Sequence, residues 1–174
     1  NLSSIKGILS KLGFSFIISS DHLALKESDL ILLPGVGAFK PAMESIKQNG
    51  LDNFIYEMVN NQKPIIGICL GMQLLGRSSN EGGYHEGLNL ISEDVFHFED
   101  HSCHIGWNDT IIVRKDNLFD ITSDCELYFN HSYAFKSNLE NTVAETEYKK
   151  QKFSSIIRKG KIFGLQFHPE KSQT

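Results

Sequence analysis

Apolar residues in the first half of the chain follow two alternating patterns. In four segments they recur every three or four positions, which places them on one face of a helix; these are residues 2–12, 39–48, 51–61 and 70–77. Gly13 is a natural stop for the first of these helices. Short continuous apolar runs of strand length lie between them, at residues 14–19, 29–33 and 64–68. Such an alternation is typical of a parallel sheet covered by helices on both faces.

Beyond Gly87 the sequence instead contains segments rich in β-branched and aromatic residues, which predict strands. They cover residues 95–98, 110–114, 126–133, 142–148, 153–158 and 162–167. Lys159 and Gly160 separate the last two and predict a hairpin turn. We therefore expect an α/β fold with an open, mostly parallel, flavodoxin-like sheet flanked by helices, a mixed or antiparallel C-terminal part, and a single domain over residues 1–174.

Composition narrows the class of protein. The 174 residues carry a net charge of −4, which gives no broad electrostatic reason to bind nucleic acid or an anionic membrane. The apolar runs have strand length and no signal peptide is visible, so no membrane span is predicted. The three cysteines form no Cys-x-x-Cys pair, so a disulfide framework is not expected and the cytoplasm is the predicted location.

The most informative motif is Gly-Ile-Cys-Leu-Gly at residues 67–71, between a buried apolar strand and a predicted helix. A nucleophile at such a junction lies on a sharp turn, and glycines two residues before and after it relieve the crowding. Cys69 is therefore a candidate nucleophile. Taken alone, the pentapeptide also suits an inert buried thiol.

His168 and Glu170 supply the partners that a cysteine nucleophile needs. An imidazole can take the thiol proton and later give a proton to the leaving nitrogen of an amide. A carboxylate behind the imidazole fixes its tautomer and stabilises the imidazolium. Cys69, His168 and Glu170 are thus predicted to form a triad that hydrolyses an amide through a thioester.

Two backbone N–H groups are predicted to stabilise the oxyanion of that reaction. One belongs to Leu70, directly after the nucleophile and at the start of a helix. The other comes from the Pro-Gly-Val-Gly run at residues 34–37, whose glycines allow an N–H to turn inward. Val36 is our first choice for this donor and Gly37 is the alternative.

The runs at residues 67–73 and 166–170 together resemble the class I, triad-type glutamine amidotransferases. Four further runs resemble one branch of that family, the glutaminase subunit of imidazole glycerol phosphate synthase; they are residues 34–39, 104–108, 128–133 and 170–173. The resemblance covers essentially the whole chain. It implies the same roles for the triad that the residues themselves suggest.

The resemblance also implies a substrate site for L-glutamine. Gln73, one helical turn after the nucleophile, would hold the substrate, and Glu81 would recognise its α-amino group. His131, Ser132 and Tyr133 would contribute backbone contacts. No cofactor and no metal are implied.

The family further implies a protein partner. Ile105 and Trp107 would lie at the face that meets a (β/α)8-barrel cyclase subunit, forming a heterodimer. Ammonia released from glutamine would pass to that cyclase, which makes imidazole glycerol phosphate and AICAR in histidine biosynthesis. The 34–37 loop would then be the switch that couples glutamine hydrolysis to the docked partner.

Some features depart from this branch. The family's first strand and last helix are not recognisable in residues 1–174, and Cys103 and Lys149 occupy positions where proline and glycine are expected. The Ile-Phe-Gly run at residues 162–164 resembles a paralogous glutaminase that supplies ammonia to an amidotransferase of surface-sugar biosynthesis. That paralogue is the alternative function.

Other interpretations also remain open on the sequence. The chain could be a non-catalytic docking subunit, or a cysteine peptidase with a related elbow. Trp107 suits the core as well as an interface. His97, His101 and His104 have spacings compatible with a metal site, although no cysteine pair or carboxylate cluster supports one.

Overall fold

The computed structural model describes residues 2–118, 125–137 and 140–172. Its helices are α1 (Leu2–Lys11), α2 (His22–Lys26), α3 (Phe39–Gln48), α4 (Leu51–Asn60) and α5 (Leu70–Leu74). Its strands are β1 (Ile31–Gly35), β2 (Ile65–Cys69), β3 (Ser78–Ser79), β4 (His85–Glu86), β5 (Asp94–His97), β6 (His104–Ile112), β7 (Cys125–His131), β8 (Tyr133–Phe135), β9 (Thr142–Tyr148), β10 (Gln151–Lys159) and β11 (Ile162–Leu165). None of these helices is long and apolar enough to cross a membrane.

A seven-stranded sheet in the order β1-β2-β11-β10-β9-β6-β7 organises the described residues. Strands β1, β2 and β11 are parallel neighbours, whereas every pairing from β11 through β10, β9 and β6 to β7 is antiparallel. A smaller sheet, in the order β4-β3-β5-β8, packs beside it. The α/β fold with an antiparallel C-terminal part is therefore confirmed, and the predicted hairpin at Lys159 and Gly160 joins β10 to β11.

The prediction of a strand at residues 14–19 is wrong. The segment forms no ladder with any described strand, and its apolar side chains are largely exposed, Phe14 to 62 % and Ile18 to 53 %. A strand is stable only where neighbouring backbone satisfies its N–H and C=O groups. Apolar composition alone did not supply that neighbour.

The helix after the nucleophile is also shorter than predicted, ending at Leu74 instead of residue 77. The carbonyl oxygens of Leu74, Leu75 and Gly76 accept hydrogen bonds from the N–H groups of residues 88–91. Residues 88–91 thus supply the hydrogen bonds that a further turn of helix would have made. The N–H of Arg77 bonds to the carbonyl of Glu93 and leads the chain into the small sheet.

The described residues contain three apolar clusters. One lies between the parallel strands and the helices, around Phe39, Met58 and Met72; the second lies in the antiparallel part, around Phe129 and Phe153; the third is small and lies around Ile68. Because β1, β2 and β11 are parallel neighbours, their carboxyl ends meet at one edge of the sheet. Ligands of parallel α/β sheets bind at such strand ends, so this edge is where a site is expected.

Candidate active site

Cys69 lies on the sharp turn that the sequence predicts. It is the last residue of β2, and α5 begins at the next residue. Its backbone has φ 53° and ψ −112°, a conformation that residues other than glycine rarely adopt. Strain of this kind persists where the surrounding packing fixes it, and it aims the thiol away from the strand and out of the sheet edge.

The glycines around Cys69 make that turn possible. A Cβ atom added to Gly71 would lie 1.7 Å from the carbonyl oxygen of Leu33, and one added to Gly67 would lie 2.6 Å from the carbonyl oxygen of Gly71. Real Cβ atoms do not approach backbone so closely. The start of α5 therefore packs directly on β1 and β2, as the two glycines of the motif predicted.

His168 and Glu170 follow β11, the other neighbour of β2. The Nδ1 atom of His168 lies 2.9 Å from Oε1 of Glu170, and both side chains are buried. The backbone holds the pair in place: the N–H of His168 donates to the carbonyl of Tyr128 and its carbonyl accepts from the hydroxyl of Ser172. The base and its carboxylate thus have a fixed orientation.

The imidazole of His168 favours its charged form. Hydrogen bonds with Cys69 and then with Glu170 raise its pKa from 6.5 to about 9, against the opposing effect of burial. Burial is the largest single effect on Glu170 and raises its pKa, but the hydrogen bond with His168, a backbone hydrogen bond and the charge of His168 together outweigh it, so the pKa is lowered overall. At neutral pH the site therefore contains an imidazolium between a carboxylate and the Cys69 sulfur.

A cavity of about 270 Å³ opens over this sulfur. It brings together ten residues that the sequence singled out, namely Val36, Gly37, Cys69, Leu70, Gln73, Glu81, His131, Ser132, Tyr133 and His168. Two further lining residues were missed, Cys103 and Asn130. The carbonyl of Asn130 lies 3.8 Å from the Cys69 Sγ atom. Because this contact is made by the backbone, no sequence pattern predicts it.

Both predicted oxyanion donors border the cavity on the side of the strand ends. Leu70 is the first residue of α5, so its N–H has no acceptor within the helix. Val36 is 66 % exposed and Gly37 has φ +102°, in the region that favours glycine. The choice between Val36 and Gly37 stays a prediction.

Glu81 and Gln73 are both tied to the loops around the cavity. The carboxylate of Glu81 accepts a hydrogen bond from the N–H of Phe39 at 2.7 Å, which closes the start of α3 where Ala38 offers no side-chain cap. The amide nitrogen of Gln73 donates to the carbonyl of Tyr133 at 2.8 Å and to Oε1 of Gln166 at 3.3 Å. Gln166 was quoted in a motif, but the sequence assigned it no role.

Ile105 and Trp107 lie outside the cavity, on the outward face of β6. They are 64 % and 50 % exposed, and the Trp107 ring contacts that of Tyr128 edge-on. A core position for Trp107 is therefore excluded. The interface role remains a prediction.

The three histidines of the possible metal site do not converge. His104 is buried and hydrogen-bonded to His131, whereas the rings of His97 and His101 pack on each other with centroids 4.7 Å apart. Within residues 2–118, 125–137 and 140–172, no group of three or more possible metal ligands was found.

Solved structures share this fold. A crystal structure of a glutamine amidotransferase aligns over 98 % of this chain and 86 % of its own, with a TM-score of 0.77 and 16 % sequence identity. A glutamine amidotransferase from Thermotoga maritima aligns over 95 % of this chain and 69 % of its own, with a TM-score of 0.69 and 20 % identity.

Sequence relatives are closer. The model of the glutamine amidotransferase class-I family matches residues 8–174. The imidazole glycerol phosphate synthase subunit HisH of Oceanobacillus iheyensis is 43 % identical over 99 % of this chain and 87 % of its own length. That of Carboxydothermus hydrogenoformans is 42 % identical over the same shares. The chain therefore belongs to the glutamine amidotransferase class-I family and groups within it with the HisH subunits of imidazole glycerol phosphate synthase.

Proposed function

We propose that the chain hydrolyses L-glutamine to glutamate and ammonia through a thioester on Cys69. The observation that carries this proposal is the buried His168, which lines the same cavity as Cys69, interacts with its sulfur and lies 2.9 Å from the carboxylate of Glu170. This is the arrangement of nucleophile, acid/base and orienting carboxylate that amide hydrolysis requires.

The reaction begins with attack of the Cys69 sulfur, as thiolate, on the γ-carboxamide carbon. The imidazolium of His168 then gives its proton to the amide nitrogen as the C–N bond breaks, and ammonia leaves. In the second half a water molecule gives a proton to the neutral imidazole and attacks the thioester carbon. The C–S bond breaks, glutamate leaves, and the thiolate–imidazolium pair is restored.

Each tetrahedral intermediate places a negative charge on the former carbonyl oxygen. The N–H of Leu70 stabilises that charge, together with an N–H from the 34–37 loop. The loop also gives a means of control, because its donor completes the site only when it is turned inward. Rates of glutamine hydrolysis with and without a docked partner test this control, and equal rates would contradict it.

Substrate recognition uses groups at the far side of the cavity. The carboxylate of Glu81 attracts the α-ammonium group of glutamine, and Gln73 with the backbone of residues 131–133 holds the rest of the amino acid. Since Glu81 also bonds to the N–H of Phe39, its position is fixed before the substrate arrives. No cofactor takes part in these steps.

The ammonia is passed to a (β/α)8-barrel cyclase subunit, which forms a heterodimer with this chain in the cytoplasm and produces imidazole glycerol phosphate and AICAR. The names of the relatives that are 43 % and 42 % identical support histidine biosynthesis as the pathway. Exposed Ile105 and Trp107 on β6 supply an apolar face for the partner.

A pair of cysteine variants tests the proposal in the complex with the cyclase. Cys69→Ala is expected to abolish glutamine-dependent synthesis and to leave ammonia-dependent synthesis intact. Cys103→Ser, which changes another thiol of the same cavity, is the matched control and should retain both. Unchanged glutamine-dependent synthesis in Cys69→Ala would favour a docking subunit, and cleavage of peptides without release of ammonia would favour a peptidase.

A further inference from the structure

The imidazole rings of two buried histidines take no part in the proposed chemistry. His104 on β6 and His131 at the end of β7 are 3 % and 6 % exposed and face each other across the β6–β7 ladder. The ring of His104 stacks between those of Phe129 and Tyr148, at centroid distances of 4.7 and 4.3 Å. Buried imidazoles need hydrogen-bond partners, and the partners of these two form a continuous chain.

The order of donors and acceptors in that chain is determined by its ends. At one end, Nδ1 of His131 lies 2.9 Å from the carbonyl oxygen of Tyr133, which can only accept, so this nitrogen carries the proton. Nε2 of His131 is then an acceptor, and the Nδ1 of His104, 3.3 Å away, donates to it. Nε2 of His104 in turn accepts from the side-chain amide of Asn108 at 3.1 Å.

The other end is fixed by backbone. The amide oxygen of Asn108 accepts from the N–H of Asp109 at 2.8 Å, and its nitrogen donates to the carbonyl of Glu147 at 3.0 Å. This defines the orientation of the amide, because exchanging its oxygen and nitrogen would lose both bonds. Burial lowers the pKa of His104 to about 4 and that of His131 to about 3, so both rings are neutral at neutral pH.

The chain of hydrogen bonds through His104 and His131 continues into the active site. The carbonyl of Tyr133 also accepts from Gln73, Gln73 donates to Gln166, and the amide nitrogen of Gln166 lies 3.9 Å from the Cys69 Sγ atom. Its outer end, Asn108, is next to Trp107 on the strand whose outward face is exposed. The histidine pair thus connects the outer strand β6 to the segment that lines the cavity.

We infer that His104 and His131 are positioning residues for the glutamine site. Each holds the proton on Nδ1, and together they fix the carbonyl of Tyr133 and, through it, the side chain of Gln73. The inference rests on the proposed function, since it assigns these residues to the binding of glutamine. It also extends that function, because a shift of β6 is transmitted to the cavity wall through the two rings.

Two substitutions of His104 separate positioning from packing. His104→Phe keeps a ring between Phe129 and Tyr148 but removes both hydrogen bonds. His104→Asn loses the ring but places an amide donor where Nδ1 stands. Positioning predicts a KM for glutamine about tenfold higher in His104→Phe, as expected for one lost buried hydrogen bond, and a KM close to wild type in His104→Asn.

His104→Asn should nevertheless have the lower thermal midpoint of the two, because the loss of the ring leaves a cavity in the aromatic cluster. Thr110→Val is the matched control. It removes a buried side-chain hydrogen bond from the same strand, between Thr110 and Thr146 at 2.8 Å, that does not lead to the site. It should lower the thermal midpoint without changing KM. If KM instead rises as the thermal midpoint falls across all three variants, so that the least stable variant binds glutamine worst, the inference is overturned.

A second measurement does not depend on catalysis. Long-range ¹H–¹⁵N correlation spectra of the unmodified chain at neutral pH should show both rings neutral and protonated on Nδ1. Protonation of either ring on Nε2 overturns the inference. If the wild-type complex releases no ammonia from glutamine while the spectra show the expected tautomers, the proposed function fails and the hydrogen-bonded chain itself stands.

Discussion

At the scale of single residues, the three buried histidines of this protein differ in their electrostatic surroundings. His168 lies beside the Cys69 sulfur and the Glu170 carboxylate, which favour its charged form. His104 and His131 lie among aromatic rings, where burial favours the neutral form. The same side chain is therefore charged at one position and is a neutral hydrogen-bond bridge at the other two.

These surroundings predict that the free energy of unfolding falls on both sides of neutral pH. The raised pKa of His168 contributes stability that is fully present below pH 6.5 and is lost as the pH rises through about 9. The lowered pKa values of His104 and His131 contribute stability that is present above pH 6.5 and is lost as the pH falls through about 4 and about 3. Urea unfolding over this range should show a maximum free energy of unfolding near neutrality.

Substitutions test which histidine causes the decline in stability on the acid side and which causes the decline on the alkaline side. His168→Asn should flatten the profile on the alkaline side, and His104→Phe should weaken the decline on the acid side. A decline on the alkaline side that survives unchanged in His168→Asn would contradict the assignment of the raised pKa to this imidazole.

The sequence predicts the triad residues but not the bridge between the two neutral histidines. Cys69, His168 and Glu170 could be found because short motifs carry them. The bridge between His104 and His131 could not, because it joins two strands and its proton positions depend on Tyr133 and Asn108. The aromatic cluster around His104 explains why this residue is structural and not one of three metal ligands.

At the scale of secondary structure, the elbow predicts the sharpest mutational effect. Gly71→Ala places a Cβ atom 1.7 Å from the backbone of Leu33, so β1 and α5 must separate. We expect a loss of roughly 3–5 kcal/mol in the free energy of unfolding, in the range of severe core substitutions, and loss of glutaminase activity.

Gly7→Ala is the matched control, since a Cβ atom at this position of α1 meets nothing within 4 Å. It should raise the free energy of unfolding by about 0.5–1 kcal/mol, because alanine is the better helix former. Chemical denaturation measures both variants. A Gly71→Ala protein as stable as wild type would show that α5 does not depend on this close approach.

The helices and strands themselves differ in how far the sequence determines them. Helices α3 and α4 begin where the apolar spacing predicts, because one turn of helix contains its own hydrogen bonds. Residues 14–19 have strand composition yet form no strand, since a strand depends on a neighbour that local sequence cannot specify. The same holds for α5, whose last turn is replaced by bonds to residues 88–91.

At the scale of the whole molecule, the strand that is proposed to meet the partner also carries one end of the hydrogen-bonded chain that leads to the cavity. Side chains of β6 alternate between the exposed Ile105 and Trp107 and the buried His104. A partner that contacts the outward face therefore acts on a strand whose inward face reaches the cavity wall. Under the proposed function, this strand links docking of the partner to glutamine binding.

Trp107→Ala tests the docking face. Aromatic residues dominate the energetics of protein interfaces, so we expect the dissociation constant for the cyclase to rise at least about thirtyfold. Leu23→Ala, which alters an exposed apolar residue on α2, is the control and should bind normally. Isothermal titration calorimetry measures both, and normal binding by Trp107→Ala would place the interface elsewhere.

The proposed reaction requires a thioester between the Cys69 sulfur and the γ-carbonyl carbon of glutamine. Acid quenching of the complex during turnover, followed by peptide mapping with mass spectrometry, tests it most directly, since two candidate thiols line the cavity. We expect a γ-glutamyl group on the peptide that contains Cys69, and none on the peptide that contains Cys103. Turnover of glutamine with no adduct at Cys69, or with the adduct at Cys103, would contradict it.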